Sequence, residues 1–408
     1  MIDKAILLII DGLGDRPIAA LGDRTPLEAA HTPNLDRLAT SAECGMMHTV
    51  GRGVRPGSDV AHLAIFGYER SLYYPGRGPI EAAGIGVPLE DGDVAMRGNL
   101  GTVDDKLEIV DRRAGRIRVV EPFTKMLDGM EIDGVTFLVK PGTAHRAVVV
   151  MRGPDLSAAI TDNDPHVEGV AASTVTATDD SPSAKRTADA LNQFLARAHE
   201  ILKGHPDNRA RRAEGLFEAN YILLRGAGQY RRLPSFKERY GLDGCCIAGG
   251  GLYKGVAAFL GMTVLDCPGA TGLPDTDIRA KFDLALESLS EYDFVFVHVK
   301  ATDSLAEDGN FAGKKDFTER IDEAAAAFDA LPESALLVVT ADHSTPSELC
   351  AHSADPVPIL FHGQGVRVDG VTAFGERACT SGGLGFITGA DVMPQVINLL
   401  GRSPLLGG

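Results

Sequence analysis

The sequence predicts an α/β fold: an open, mostly parallel sheet flanked by helices, with a smaller α+β domain inserted into it. Three observations carry this reading. Several short apolar runs lack the alternation of half-exposed strands, so they read as strands buried on both faces, as in a parallel sheet. Amphipathic helical patterns separate these runs. Between about residues 90 and 215 the texture changes to short charged strand-like pieces broken by turn residues.

In chain order, "AILLIIDG" (Ala5 to Gly12) is the first buried strand, followed by the helical "TPNLDRLATSA". The insert then opens. "KLEIVDRRAGRIRVV" supplies short charged strands, "TFLVKPG" and "AHRAVVVMRG" form a hairpin or meander, and "SAKRTADALNQFLARAHEIL" is an amphipathic helix. The core resumes with "YILLRGAG" (Tyr221 to Gly228), "GMTVLD" and the helix "DIRAKFDLALESLSEY". "FVFVHVKATD", the helix "DFTERIDEAAAAFDAL", "ALLVVTADH" and "VPILFHG" complete it. The expected core is 1–90 with 215–408, and the expected insert is 91–214.

The 408 residues are 44% hydrophobic and 24% charged, the profile of a globular chain long enough to bury a large core. A formal net charge of -16 excludes non-specific nucleic-acid binding and attraction to anionic membranes. An anionic substrate then needs metals or local arginines to invert the field. The six cysteines, Cys44, Cys245, Cys246, Cys267, Cys350 and Cys379, show no zinc or redox spacing and read as reduced core thiols of a cytoplasmic protein. "MIDKAILLIIDG" lacks a signal peptide's basic region and cleavage site, and no apolar run approaches the ~20 residues of a spanning helix. None of these features encodes an oligomeric state.

Ligands of open α/β sheets bind beyond the carboxyl ends of the strands. Three of the runs end there in Asp11, Asp303 and Asp342-His343. Alone, each acid reads as a turn or cap residue. Together they would repel one another without cations, and mixed carboxylate and imidazole donors suit Mn²⁺, Zn²⁺ or Mg²⁺. Ser58, in the Pro-Gly-Ser turn of "GRGVRPGSDVAHLAIFGY", falls at an expected helix N-terminus, where backbone N–H groups favour a phosphate. A hydroxyl beside a divalent cation is an activated nucleophile. His352, in "SELCAHSADPVP", lies close enough in sequence to Asp342-His343 to join them as a ligand. No G-x-x-x-x-G-K-[ST] loop is present; "GGGLYKG" lacks its spacing and hydroxyl.

"LLIIDGLGD", "TPLEAAHTPNLDRLA", "PGSDVAHLAIFGY", "GRGPIEAAGIGV", "TDNDPH", "LLRGAGQY", "CPGATG", "FVHVKATD", "TADHSTP" and "HSADPVP" occur in that order over nearly the whole chain. Together they resemble the cofactor-independent phosphoglycerate mutases of archaeal type, within the alkaline phosphatase superfamily. The resemblance implies an alkaline-phosphatase-like core with a two-metal site and a nucleophilic serine, and an insert that binds glycerate. It implies interconversion of 3- and 2-phosphoglycerate in glycolysis and gluconeogenesis, without 2,3-bisphosphoglycerate or nucleotide. A metal-dependent phosphatase, or another phosphotransferase such as a homoserine kinase, is the alternative. It makes Asp11, Ser58, Asp342 and His343 ligands of one cation, and Asp303 and His352 ligands of the other. The third ligand of the second cation, usually His, falls at Glu307 here. A glutamate four residues after Asp303 faces the same side if the chain turns helical, and it favours Mn²⁺ or Mg²⁺ over softer ions. Manganese is the first expectation, with magnesium, zinc or cobalt as alternatives. Arg225 and Lys254 resemble phosphoryl-holding positions. Asp162, Asp164 and His166, with His145 and Arg146, resemble glycerate-binding positions in the insert.

Overall fold

The computed structural model describes residues 2–405. The chain forms two compact units, one comprising residues up to Tyr74 and from Pro234 onward, the other Pro75–Leu233. The first is built on an eight-stranded sheet, in the order Thr263–Val264, Gly244–Ile247, Phe294–Val299, Lys4–Ile10, Ala335–Thr340, Val357–His362, Ala42–His48, Gly385–Thr388. The pairings among the first five of these are all parallel. Val357–His362 runs antiparallel to both its neighbours, so "VPILFHG" is the one strand of this sheet that departs from the parallel run. Phe294–Val299 and Ala335–Thr340 are buried along their whole length, which is why they show no alternation.

Register sets up the site. Lys4–Ile10 lies between Phe294–Val299 and Ala335–Thr340, with Ile10 opposite Val299 and Ile9 opposite Thr340. The residues that follow these three strands therefore emerge side by side at one edge. The helices Ala301–Glu307 and Phe311–Ala325 follow the Phe294–Val299 strand, and Ser58–Ile65 begins with Ser58 itself.

The second unit holds a six-stranded sheet in which Val94–Val103 pairs antiparallel with Arg146–Arg152 on one side and Tyr221–Gln229 on the other. The hairpin read from sequence is present as Val135–Pro141 against Arg146–Arg152. The helix Pro182–Lys203 covers the sheet, with Phe194 stacked on Phe137 at 4.3 Å between ring centroids. The insert is wider than 91–214. "YILLRGAG" belongs to it, because Tyr221–Gln229 pairs with Val94–Val103 and not with the core sheet. The helix Arg77–Gly84 belongs to it for a steric reason: a Cβ at Gly78 would stand 2.0 Å from the Ala95 carbonyl oxygen, so glycine lets that helix lie directly on the strand.

One buried ion pair pins the loop after the first strand. Lys314, fully buried on the Phe311–Ala325 helix, donates to Asp15 at 2.9 Å and to the carbonyls of Gly14 and Thr345 at 3.0 Å each. Asp15 also accepts from the backbone and hydroxyl of Ser347. Lys314→Met would leave Asp15 buried without its cation, and should lower the unfolding free energy by about 3 kcal/mol or more in denaturant titration. A loss under about 1 kcal/mol would show that Asp15 does not depend on the pair.

Candidate metal centre and active site

Asp11 follows the strand Lys4–Ile10 directly, Asp342 lies two residues past Ala335–Thr340, and Asp303 lies in the first turn of Ala301–Glu307. All three are buried. Gly12 makes their approach possible. Its φ is +61°, and a Cβ there would stand 2.6 Å from Thr345 Oγ1 and 2.7 Å from the Asp303 Cβ.

The first predicted ligand set comes together. His343 Nε2 lies 3.3 Å from Asp11 Oδ1, 3.3 Å from Asp342 Oδ2 and 3.2 Å from Ser58 Oγ. Asp11 Oδ1 and Asp342 Oδ2 are buried acceptors with no hydrogen-bond partner among the described residues. Such atoms are costly unless something fills the space between them. Two carboxylate oxygens, an imidazole nitrogen and a hydroxyl converging on one point are the donor set of a divalent cation. The electrostatics agree. Burial, Asp11 and Asp303 push the Asp342 carboxyl well above the usual carboxylate range. Burial would raise Asp11 too, but Lys300, His298 and His343 outweigh it and hold Asp11 well below that range.

The second set is looser. His352 Nε2 lies 3.5 Å from Asp303 Oδ1 and 3.8 Å from Glu307 Oε1. The chain does turn helical after the strand, so Asp303 and Glu307 stand one turn apart on Ala301–Glu307. Glu307 is half-exposed, with 51% of its side chain open. Burial and Asp303 raise its carboxyl. His352 is oriented by Nδ1 facing the Pro56 carbonyl at 3.0 Å, which leaves Nε2 for the site.

Four side chains to which the sequence assigns no role complete the centre. Thr345 donates its hydroxyl proton to Asp303 Oδ1 at 2.7 Å. Its oxygen can therefore only accept from His343 Nδ1, 3.0 Å away, which places the imidazole proton on Nδ1 and a bare lone pair on Nε2. Burial lowers His343 to about 4, so the ring is neutral. Tyr253 donates to Asp11 Oδ2, and Lys300 lies against both Asp11 and Asp303. His298 Nε2 is 3.3 Å from Asp11 Oδ2, and its ring stacks on Tyr253 at 3.4 Å. His298 was visible as the one polar residue of an apolar strand; Thr345 and Tyr253 carried no signal that distinguishes them from ordinary polar residues. His62, His298 and Asp342 form a third buried group with cation-ligand spacing. It shares Asp342 with the first set, so two ions there would repel across one carboxylate. His62 donates from Nδ1 to the Ser58 carbonyl at 2.7 Å and braces the helix start. Lys254 sits on the helix Gly251–Phe259, and it is its neighbour Tyr253 that meets Asp11.

The remaining predicted residues lie in the second unit. Asp164 is buried and accepts from Arg112 at 3.0 and 2.6 Å, while Arg225 lies 3.8 Å away. Arg225 thus belongs to the insert, where sequence reading had placed it in the core. His166 Nδ1 lies 3.3 Å from Arg225, and Asp162 accepts from the Gly226 backbone at 2.9 Å. Arg97 stands opposite Arg225 on the paired strands. Burial, then Arg97, lowers Arg225, and burial followed by Arg146, Arg113 and Arg225 lowers His145 to about 4. Crowded, partly desolvated guanidiniums are the signature of a site for an anion. Arg97 and Arg112 were missed because their neighbours come from distant parts of the chain.

Comparison with known proteins follows the same lines. A family model described as 2,3-bisphosphoglycerate-independent phosphoglycerate mutase matches residues 39–208. The 2,3-bisphosphoglycerate-independent phosphoglycerate mutase 1 of Methanocaldococcus jannaschii is 47% identical over 408 residues, 99% of each chain. The protein of the same description from Archaeoglobus fulgidus is 45% identical, covering 98% of this chain and 99% of its own. Among solved structures, the cofactor-independent phosphoglycerate mutase of Thermoplasma acidophilum is 39% identical with a TM-score of 0.76, over 98% of this chain and 100% of that one. A Pyrococcus horikoshii protein is 36% identical with a TM-score of 0.85 over the whole of both chains.

Glu307 tests the second ligand set. Glu307→Ala should weaken binding of one of two Mn²⁺ equivalents in calorimetric titration, and Glu307→His should restore it with a shift toward Zn²⁺ or Co²⁺. Metal-free stability should change by no more than about 1 kcal/mol, since the side chain is half-exposed. Two equivalents bound by Glu307→Ala as tightly as by wild type would place Glu307 outside the ligand set.

Proposed function

The chain belongs to the 2,3-bisphosphoglycerate-independent phosphoglycerate mutase family, and from that premise we propose that it interconverts 3-phosphoglycerate and 2-phosphoglycerate through a phosphoserine on Ser58. The observation that carries the proposal is the convergence of Ser58 Oγ with Asp11, Asp342 and His343 at the start of a helix. Asp11, Ser58, Asp342 and His343 would hold one cation, and Asp303, Glu307 and His352 the other. Manganese suits this carboxylate-rich set first, with magnesium, zinc or cobalt as alternatives. When bound, two such ions neutralise the charge on the attacking and leaving oxygens of phosphoryl transfer.

The chain's own residues then have distinct tasks. Ser58 Oγ takes the phosphoryl group from one glycerate oxygen, and the other glycerate hydroxyl later takes it back. The helix start at Ser58 offers backbone N–H groups to the phosphoryl oxygens. Lys254 and Arg225 are assigned to the phosphoryl group. His145, Arg146, Asp162, Asp164 and His166, with Arg97 and Arg112, are assigned to retaining the glycerate between transfers. Neither 2,3-bisphosphoglycerate nor nucleotide enters this scheme. A chain with this substrate pair is assigned to the cytoplasm.

Ser58→Ala should lower mutase turnover by at least about a thousandfold while leaving the fold intact. Incubation with labelled phosphoglycerate should label wild type and not the variant. Activity within tenfold of wild type would sink the covalent scheme. Parallel assays with and without ATP separate the alternatives: release of inorganic phosphate without isomerisation marks a phosphatase, and ATP-dependent phosphorylation of an alcohol such as homoserine marks a kinase.

Asp162→Ala and His166→Ala should raise the ratio of phosphate release to isomerisation, because glycerate escapes before the return transfer. A wild-type ratio in both variants would remove these residues from the glycerate site.

A further inference from the structure

We infer that Lys300 is the internal counter-cation of the metal centre, tying one carboxylate of each ligand set to the other and tuning how tightly the pair of sites holds metal. The inference rests on the two-cation reading above and assigns a residue that neither ligand set contains. Lys300 sits between the strand Phe294–Val299 and the helix Ala301–Glu307. Its Nζ lies 3.3 Å from Asp11 Oδ2 and also pairs with Asp303 Oδ2.

The geometry divides the labour within each carboxylate. Asp11 turns Oδ1 toward His343 and gives Oδ2 to Lys300 and Tyr253. Asp303 turns Oδ1 toward His352 and Thr345 and gives Oδ2 to Lys300. One ammonium therefore makes both acids present a single oxygen to the cation side. Asp11 and Asp303 belong to different ligand sets, so the same contact links the two. The position is enclosed: the Lys300 side chain is 25% exposed, and Nζ lies 5.9 Å from the centre of the Tyr253 ring.

Two consequences have opposite signs. Without metal, the ammonium offsets repulsion among Asp11, Asp303 and Asp342, so it stabilises the fold. With metal, the same positive charge opposes the incoming cations, so it weakens binding. A residue that merely packs would support both states and its loss would harm both.

The experiment compares wild type, Lys300→Met, Lys300→Gln and Lys300→Arg, each stripped with chelator. Thermal unfolding of the metal-free proteins is set beside Mn²⁺ titration read by loss of the free-ion electron paramagnetic resonance signal. Lys300→Met should melt earlier than wild type without metal, yet bind Mn²⁺ tenfold or more tightly. Lys300→Gln, which keeps a donor, should move the same way by less and covers the case in which the methionine variant does not fold. Lys300→Arg should stay near wild type in both. Earlier melting together with weaker Mn²⁺ binding would reduce Lys300 to a packing role and overturn the inference. So would wild-type behaviour of Lys300→Met in both measurements, with two Mn²⁺ still bound and the two-cation reading intact. Wild-type protein that binds no Mn²⁺ would remove that reading, and this inference with it.

Discussion

Three adjacent parallel strands of one mixed sheet deliver three carboxylates to the same buried edge, and the repulsion among them is the constraint on which the rest of the centre depends. Two like charges 4 Å apart repel by on the order of 4 kcal/mol at the effective dielectric of a protein. The fold answers with positive charge and oriented dipoles. Lys300 and Tyr253 meet Asp11, the Gly12 backbone N–H meets Asp342, and Thr345 meets Asp303. What these contacts leave over is directional: Asp11 Oδ1 and Asp342 Oδ2 both lie against His343 Nε2, with no hydrogen-bond partner among the described residues. A protein that keeps such groups in its interior sacrifices stability for a ligand.

Lys4–Ile10 is paired along both edges and buried from Ala5 to Ile10, so its register is held along nearly its whole length. A slip of one residue would turn Asp11 to the other face and leave His343 with Asp342 as its one acid neighbour. The ion pair of Lys314 and Asp15 serves the same end from beyond the strand, since Lys314 also holds the carbonyls of Gly14 and Thr345. Thr345 is thereby fixed at both ends, by its carbonyl to the scaffold and by its hydroxyl to Asp303.

Much of this was legible from sequence for an identifiable reason. Acids at the ends of apolar runs stand out because periodicity marks both the strand and its end, which made Asp11, Asp303 and Asp342-His343 readable. Glu307 was readable because helical spacing from Asp303 is local. Tyr253 and Thr345 were not, because their partners are far away: Tyr253 finds Asp11 across 242 positions of chain. Lys300 is local to Asp303, but its second partner, Asp11, is not. The insert's edges were misread for the same reason. "YILLRGAG" has the composition of a core strand, and only its pairing with Val94–Val103 assigns it. Arg97 and Arg112 were invisible as a group because antiparallel pairing and a long turn, not spacing, gather them with Arg225.

The two ligand sets differ in their openness to solvent, and this has a kinetic meaning. Asp11, Asp342 and His343 have no exposed side-chain surface, whereas His352 and Glu307 are 19% and 51% exposed. A cation held by the second set can trade ligands for water one at a time. A cation in the first set would meet solvent only past Ser58, the one partly exposed donor of that set, because its other donors are sealed at the strand ends. Ions in the two positions would therefore exchange at different rates: the second set opens to the surroundings through two of its donors, and the first only past Ser58.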